Sequence, residues 1–314
     1  MGPSISVIIP VYNKEEYVAR TLHSVLDQTP PNLEILIVDD ASTDRSLERV
    51  AEFDDPRIRV LRRDTPGPGG YAARNLGIRQ ATGEWIAFLD ADDCWRPDHL
   101  ENALDMAEQN PEVPIISAAR LDQFGSQQRL DPFSQHFIAH GPQRLYLADY
   151  IKQARQGRRA MQTNTLLIRR AALFSHELFP EGRTARSGDL YAWITLLARL
   201  KVMVWSPHIA ATSYRDVIGV SRTSTPTIQL FQEMVEELAP HVSRDEHALV
   251  RGAANQLIKY AWIEKKKKRM ALPLFGLPSA FFWKGHVRYC LKWSLISMVP
   301  ITLLEAVHRR FLAK

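Results

Sequence analysis

The first chemical signal in this sequence is a set of acidic residues placed where apolar runs end. Trp85 to Leu89 is an unbroken apolar run opened by Gly83, and it switches abruptly to Asp90-Ala91-Asp92-Asp93. A run of that kind reads as a strand buried on both faces. Three carboxylates at its end are expected to lie outside the core. In extended backbone successive side chains alternate sides, so Asp90 and Asp92 point the same way. Two carboxylates on one side suit a hard divalent cation, which fills its other positions with substrate phosphates. The plainer alternative is a polar strand-to-loop turn with a helix cap, where Asp is common. Leu33 to Val38 is a second buried run, and it ends in Asp39-Asp40. A carboxylate there can accept a hydrogen bond from a ribose or a base N–H. One acid of the pair could instead cap the following helix, which leaves the other to face a ligand.

These acids need a scaffold, and the flanking pattern supplies one. Ser4 to Val11 reads as a buried strand. Asn13, with Glu16 three residues on, fits a variant capping box before a helix carrying Val18, Leu22, Val25 and Leu26. Ser42 is placed to cap a helix with Leu47, Val50 and Phe53, and Ile58 to Leu61 reads as a third strand. A helix follows from about Tyr71 to Ala81, then the acidic strand, then a helix after Pro97 carrying Leu100, Leu104 and Ala107. Strands alternating with helices predict a parallel sheet covered on both faces. Ligands in such sheets bind at the carboxyl ends of the strands. Asp39, Asp40, Asp90 and Asp92 all fall there, on two separate strands, which favours the functional reading.

Beyond that point Pro114 to Ala118, Thr163 to Ile168 and Lys201 to Trp205 read as strands. Gln123 to Gln143 is polar and broken by Gly and Pro, and it reads as a long loop shaping an acceptor site. Gly182 to Gly188 is a small polar loop leading into the apolar helix Asp189 to Leu200. Two helices are expected between about Thr227 and Met270.

Three further groups could do chemistry. Gly67, Gly69 and Gly70 form a loop before a helix, able to approach phosphate or to act as a plain turn. Arg74 and Asn75, one turn into that helix, could meet a diphosphate or lie on a solvated face. Asp189 opens an apolar helix, where a carboxylate complements the dipole. It could also serve as a general base toward a hydroxyl.

The chain has 314 residues, an ordinary globular composition and two cysteines, Cys94 and Cys290, in no metal spacing. That predicts a reducing compartment without a disulfide framework. No secretory signal is apparent at the start, so a cytoplasmic protein is expected. From Tyr260 to Lys314 there are 11 Lys or Arg against 2 acids, so this tail carries +9 and the rest of the chain −4 of the net +5. The basic balance is therefore no argument for nucleic-acid binding by the main domain. The tail sets Lys265 to Arg269 beside Phe275, Phe281, Phe282, Trp283 and Trp293, then the apolar Ser294 to Leu304. That apolar stretch is too short to span a bilayer. A segment lying on an anionic membrane surface fits best; a packed helix with a solvated basic face and a nucleic-acid patch are the alternatives.

Four motifs stand in order: Ser-Val-Ile-Ile-Pro-Val-Tyr-Asn at 6–13, Glu-Ile-Leu-Ile-Val-Asp-Asp-Ala-Ser-Thr-Asp at 34–44, Ala-Arg-Asn-Leu-Gly at 73–77, and Gly-Glu-Trp-Ile-Ala-Phe-Leu-Asp-Ala-Asp-Asp at 83–93. With them the chain resembles the family 2 glycosyltransferases from about Ser4 to Ser221, of the kind that builds bacterial surface polysaccharide. The resemblance implies an α/β GT-A fold, Rossmann-like, with a mostly parallel sheet flanked by helices. It implies a glycosyltransferase domain over 1–222, with a nucleotide-sugar half (1–97) and an acceptor half (98–222). A helical region with the basic, aromatic tail follows over 223–314. It further implies a nucleotide-sugar donor, usually a UDP-sugar, with Mg²⁺ or Mn²⁺ as cofactor. Asp90-Ala91-Asp92 would be the DxD motif, with Asp92 the direct metal ligand and Asp90 beside it. Pro10, Tyr12, Asp39, Asp40 and Arg74 would line the nucleotide pocket, and Asp189 would be the base of an inverting transfer. Such enzymes usually carry Glu-Asp at that base, where this chain has Gly188-Asp189. They often show a His after Tyr-Arg, where this chain has Tyr214-Arg215-Asp216-Val217. A cytoplasmic enzyme with a membrane-seeking tail suggests a glycan or lipid-linked acceptor hydroxyl, reached at the inner face of the plasma membrane. The competing expectations are a nucleotidyltransferase, which would need a glycine-rich fingerprint after the first strand, and a non-catalytic module that binds nucleotide sugar or membrane.

Overall fold

Four apolar strands, three of them buried, begin the chain and form one end of its sheet. β1 (Ile5–Val11), β2 (Leu33–Asp39), β3 (Ile58–Arg62) and β4 (Trp85–Phe88) alternate with α1 (Val18–Leu26), α2 (Ser46–Ala51) and α3 (Tyr71–Gln80). The computed structural model describes residues 4–29, 32–173, 177–217, 224–272 and 275–300. β2, β1 and β4 are almost wholly buried, because helices cover both of their faces. Each fully buried Ile, Val or Leu there contributes about 1.5–3 kcal/mol to folding. Parallel pairing sets Val11 opposite Asp39 and Ile8 opposite Phe88. The carboxyl ends of three neighbouring strands therefore meet at one edge.

The rest of the sheet is built differently. β5 (Cys94–Trp95), α4 (His99–Gln109), β6 (Ile115–Phe124) and β7 (Gln127–Leu130) come next. Then follow α5 (Pro132–Phe137), β8 (Gln143–Tyr146), α6 (Leu147–Ala154), β9 (Leu167–Arg169), α7 (Gly188–Leu200) and β10 (Val202–Tyr214). The ten strands form one sheet in the order β3-β2-β1-β4-β9-β6-β10-β5, with β7 on β6 and β8 on β10. Here β9 runs antiparallel to both β4 and β6, and only β6 with β10 is parallel. The purely parallel order thus belongs to the first four strands.

Several local expectations are corrected. Asn13 does not cap α1, which begins at Val18. Its backbone takes a positive φ of 51°, and its side chain accepts a hydrogen bond from Thr43 N at 2.8 Å. Ser42 does not cap α2 either; its hydroxyl accepts from Asn13 N at 3.1 Å. The two would-be caps lock the loops after β1 and β2 to each other. Asp44 takes the capping part, accepting from Ser46 N at 3.0 Å. α2 also ends at Ala51, before Phe53. The helix after Pro97 begins at His99 rather than at the proline, and Thr163–Thr165 is a 3₁₀ turn ahead of β9.

The largest correction concerns 123–143, which is not a loop. β6 turns at Gly125 into β7, and Asp131 starts α5 by accepting from Phe133 N at 2.9 Å and Ser134 N at 3.2 Å. Pro132 follows at the first helical position, where its missing N–H costs nothing. Asp-Pro is therefore the signal that polarity obscured.

The chain divides into two compact units, Met1–Thr223 and Ser224–Lys314. The second holds α8 (Ile228–Leu238), α9 (Arg244–Lys267), α10 (Gly276–Ala280) and α11 (Val287–Met298). Of the apolar tail segment, residues after Pro300 lie outside the described residues, as does the end of the resemblance at 218–221.

Asp131 also accepts from Arg120 N at 3.2 Å, so it ties α5 to β6 from a fully buried position. Replacing it by Ala is expected to remove about 2 kcal/mol of stability. In urea unfolding the midpoint should fall while the slope stays the same; an unchanged midpoint would show that α5 stands without this cap.

Candidate active site

The carboxyl edge of β1, β2 and β4 gathers acids and cations in pairs. Asp92, 20% exposed at its side chain, bonds Lys14 Nζ at 2.5 Å. Asp90, 34% exposed, bonds Arg74 Nη2 at 2.5 Å. Asp40, buried, pairs with Arg63 and accepts from Gly67 N at 3.0 Å. Asp39, also buried, accepts from Ser42 N at 3.2 Å. Carboxylates crowded at one edge repel unless cations stand between them. Lys14, Arg63 and Arg74 do that here, from the loop after β1, the segment after β3, and α3. All three are groups that could equally engage a diphosphate.

Arg74 sits where it does because α3 begins at the strand edge. Gly70, the residue before the helix, has a left-handed φ of 68°, a conformation that favours glycine. Arg74 also donates to Gly69 O at 3.1 Å, and its guanidinium lies 5.5 Å from the Phe179 ring centre. Asn75 does not face the edge. It is buried and exchanges hydrogen bonds with the Phe179 backbone at 3.0 and 3.1 Å. Pro10 is half-buried beside Gly70, and Tyr12 is 39% exposed on the loop after β1. Ala91 is buried.

Asp93 overturns the expectation that all three carboxylates of the run lie outside the core. It is 3% exposed. Its carboxylate accepts hydrogen bonds from Ser213 Oγ and Tyr214 N, each at 2.9 Å, and from Asn164 Nδ2. Burial, with the charges of Asp90 and Asp92 adding, pushes its carboxyl well above the ordinary range. The strand ends at Phe88 and Asp90 to Asp93 close a turn, with Asp93 N donating to Asp90 O at 3.0 Å, so the turn, not the alternation expected of an extended run, carries Asp93 inward.

Asp189 stands in the first turn of α7, 40% exposed, with Arg159 at 4.0 Å. A pair this exposed and this long adds little stability. The helix start is tied to α3, since Gly188 N donates to the Tyr71 hydroxyl at 2.9 Å. Burial, with the nearby Asp189 charge, raises the Tyr71 phenol far above its usual value. A Cβ on Gly188 would stand 2.6 Å from Tyr71 Cζ and 2.8 Å from Pro180 Cγ. An acidic side chain at 188 therefore does not fit this arrangement, which explains why the position is glycine.

Sequence reasoning missed Lys14, Arg63, Asp93 and Tyr71. Lys14 had a signal, standing two residues past Tyr12 in the loop after a strand end. The partners of the others are fixed only by packing. Arg20, likewise missed, donates to Asp92 O at 2.8 Å and lies 3.7 Å from the Tyr214 ring centre.

Asp90 and Asp92 offer two hard, partly exposed oxygen donors, a set that fits Mg²⁺ or Mn²⁺. Among the described residues no three His, Cys, Asp or Glu side chains form a metal cluster. A cation here would draw its remaining ligands from a diphosphate and water. A broad hollow lined by Ser4, Glu34, Glu84 and Arg169 lies at the amino ends of the same strands, the edge that parallel sheets do not use for ligands.

The chain matches the family described as "Glycosyl transferase family 2" over residues 6–181. It is 34% identical over 200 residues to the putative teichuronic acid biosynthesis glycosyltransferase TuaG of Bacillus subtilis, covering 63% of this chain and 73% of TuaG. To the putative glycosyltransferase EpsH of the same organism it is 35% identical over 182 residues, 57% of this chain and 51% of EpsH. To the UDP-Glc:alpha-D-GlcNAc-diphosphoundecaprenol beta-1,3-glucosyltransferase WfgD of Escherichia coli it is 41% identical over 106 residues, 34% of this chain and 42% of WfgD. The chain thus spans about half or less of the last two relatives. The crystal structure of S. aureus TarS in complex with UDP-GlcNAc superposes with a TM-score of 0.65 at 18% identity, over 94% of this chain and 89% of that one. That likeness is one of fold, and the fold is GT-A.

The contact between residue 188 and Tyr71 can be tested directly. Gly188→Ala is expected to destabilise by about 1–3 kcal/mol through overpacking. In a double-mutant cycle Tyr71→Ala should recover part of that loss. Strict additivity would mean the two residues do not constrain each other.

Proposed function

The chain belongs to glycosyl transferase family 2, and we propose that it is an inverting transferase moving a sugar from a nucleoside-diphosphate sugar to a hydroxyl of a glycan or lipid-linked acceptor in surface-polysaccharide assembly. One observation carries this reading: Asp40, Asp90 and Asp92 converge on one sheet edge with Lys14, Arg63 and Arg74 as partners. A uridine donor is supported by the UDP and UDP-GlcNAc bound to TarS, and the polysaccharide setting by the names of TuaG and WfgD.

In this reading Pro10, Tyr12, Asp39 and Asp40 hold the base and ribose. Arg74 and Lys14 turn from their carboxylates to the diphosphate, exchanging one anion for another. Asp92, with Asp90 beside it, holds Mg²⁺ or Mn²⁺, which when bound supplies neutralisation of the charge that develops on the leaving diphosphate. Asp189 takes the proton of the acceptor hydroxyl. The freed oxygen attacks the anomeric carbon in line, the bond from that carbon to the diphosphate oxygen breaks, and the nucleoside diphosphate leaves. The exposure of Asp189 and the length of its pair with Arg159 keep the carboxylate open to a hydroxyl. Residues 98–222 shape the acceptor half, and the basic tail brings the enzyme to the cytoplasmic membrane surface where a lipid-linked acceptor lies.

Two measurements test the reading. Calorimetric titration of UDP should show binding that strengthens with Mn²⁺, and Asp92→Asn should lose roughly tenfold or more of that affinity. Failure of UDP, GDP and dTDP to bind at all would sink the proposal. Asp189→Asn should keep donor affinity and lower turnover by about a thousandfold; undiminished turnover would remove Asp189 from the base role.

A further inference from the structure

The last described helix leaves an apolar stripe uncovered. On α11, Val287 is 53% exposed, Leu291 51%, Leu295 65% and Met298 74%. At about 100° per residue these four fall within a stripe about 80° wide. Arg288 and Lys292, both exposed, follow along one edge of it. The flank of the helix on the other side of the stripe from these cations is engaged. Cys290 is wholly buried and Ser294 nearly so. The turn leading into α11 is fixed on α9 by Asn255, which donates to Phe282 O and accepts from Phe282 N, each at 2.8 Å. Lys266 closes the other end, donating to Ser297 O at 2.6 Å and Val299 O at 2.8 Å, carbonyls left open by the helix end. The stripe is therefore a fixed surface, not a frayed end.

We infer that this face of α11 is the docking surface for an anionic lipid bilayer. The inference deepens the membrane-surface part of the proposed function and rests on it. Two properties choose lipid over a protein partner. The first is charge: from Lys265 to Leu304 the sequence contains eight Lys or Arg and no Asp or Glu. An acid-free basic stretch is drawn to an anionic leaflet by the negative surface potential. The second is shape. A helix of 12 residues is too short to cross a bilayer, which takes about 20. With leucine and methionine on one side and cations at their border, it lies in the headgroup layer, the apolar side chains in the acyl boundary and the cations at the phosphates.

The test is co-sedimentation of the full chain with vesicles of phosphatidylcholine alone and of phosphatidylcholine with about one-third phosphatidylglycerol. The wild type is expected to pellet with the anionic vesicles, and less so at about 0.5 M salt. Leu291→Glu with Leu295→Glu, and separately Arg288→Glu with Lys292→Glu, should each lower the bound fraction by roughly tenfold. Because these side chains are exposed, the unfolding midpoint should not move, and UDP affinity, measured on the same preparations, should be unchanged. Wild type that binds UDP and ignores both vesicle types overturns the docking surface and leaves the transferase reading standing. Vesicle binding without any nucleotide binding does the reverse. Equal pelleting of the Leu variants also overturns it. So does a wild-type dimer that ignores vesicles and becomes a monomer in the Leu291→Glu, Leu295→Glu variant, because the stripe would then be a subunit contact.

Discussion

A single buried carboxylate holds the acidic edge of this protein in place. Asp93 accepts hydrogen bonds from Asn164, from Ser213 and from the backbone of Tyr214, and its own carbonyl accepts from Thr21 Oγ1 at 2.8 Å. Those partners come from α1, from the 3₁₀ turn before β9, and from the end of β10. Burying an acid is unfavourable unless its hydrogen bonds are complete, and here three donors meet it. The loop that carries Asp90 and Asp92 is therefore fixed at its far end to the second half of the sheet.

The edge is organised by compensation of charge. Asp92 with Lys14, Asp90 with Arg74, and Asp40 with Arg63 are acids matched one to one with cations. The side chains of these pairs are between 3% and 34% exposed, so each charge is largely desolvated and removing one partner would leave the other uncompensated. Each cation offsets the charge of one carboxylate, which lets the acids stand close together at this edge. α7 joins the same edge through Gly188 and Tyr71, so the candidate base and the candidate diphosphate site share one helix, α3, as their common support.

Much of this could be read from the chain. The apolar runs at 5–11, 33–39 and 85–88 are strands, and alternation with helices makes them parallel neighbours. The acids at their ends then have to share an edge. The helices beginning at about Tyr71 and at Asp189 were legible as well. The reading failed where local signals competed. Asn13 and Ser42 have capping chemistry, yet they bond each other's loops, since those loops lie side by side at the sheet edge. The stretch from 123 to 143 looked too polar for structure, but an edge hairpin and a short capped helix need few apolar residues.

The sequence by itself determined the parallel strands of the first half, the edge at which their acidic ends lie, and the family the chain belongs to, because these follow from apolar runs and from motifs that are local and ordered. Only the tertiary structure decided which cation meets which acid, since Lys14 and Asp92 stand 78 residues apart. It alone put Asp93 inside and Asp92 outside, reversed the direction of β9, and made glycine at 188 a consequence of Tyr71. Those outcomes depend on desolvation and on contacts between segments distant in the chain, and no periodicity along the chain encodes them.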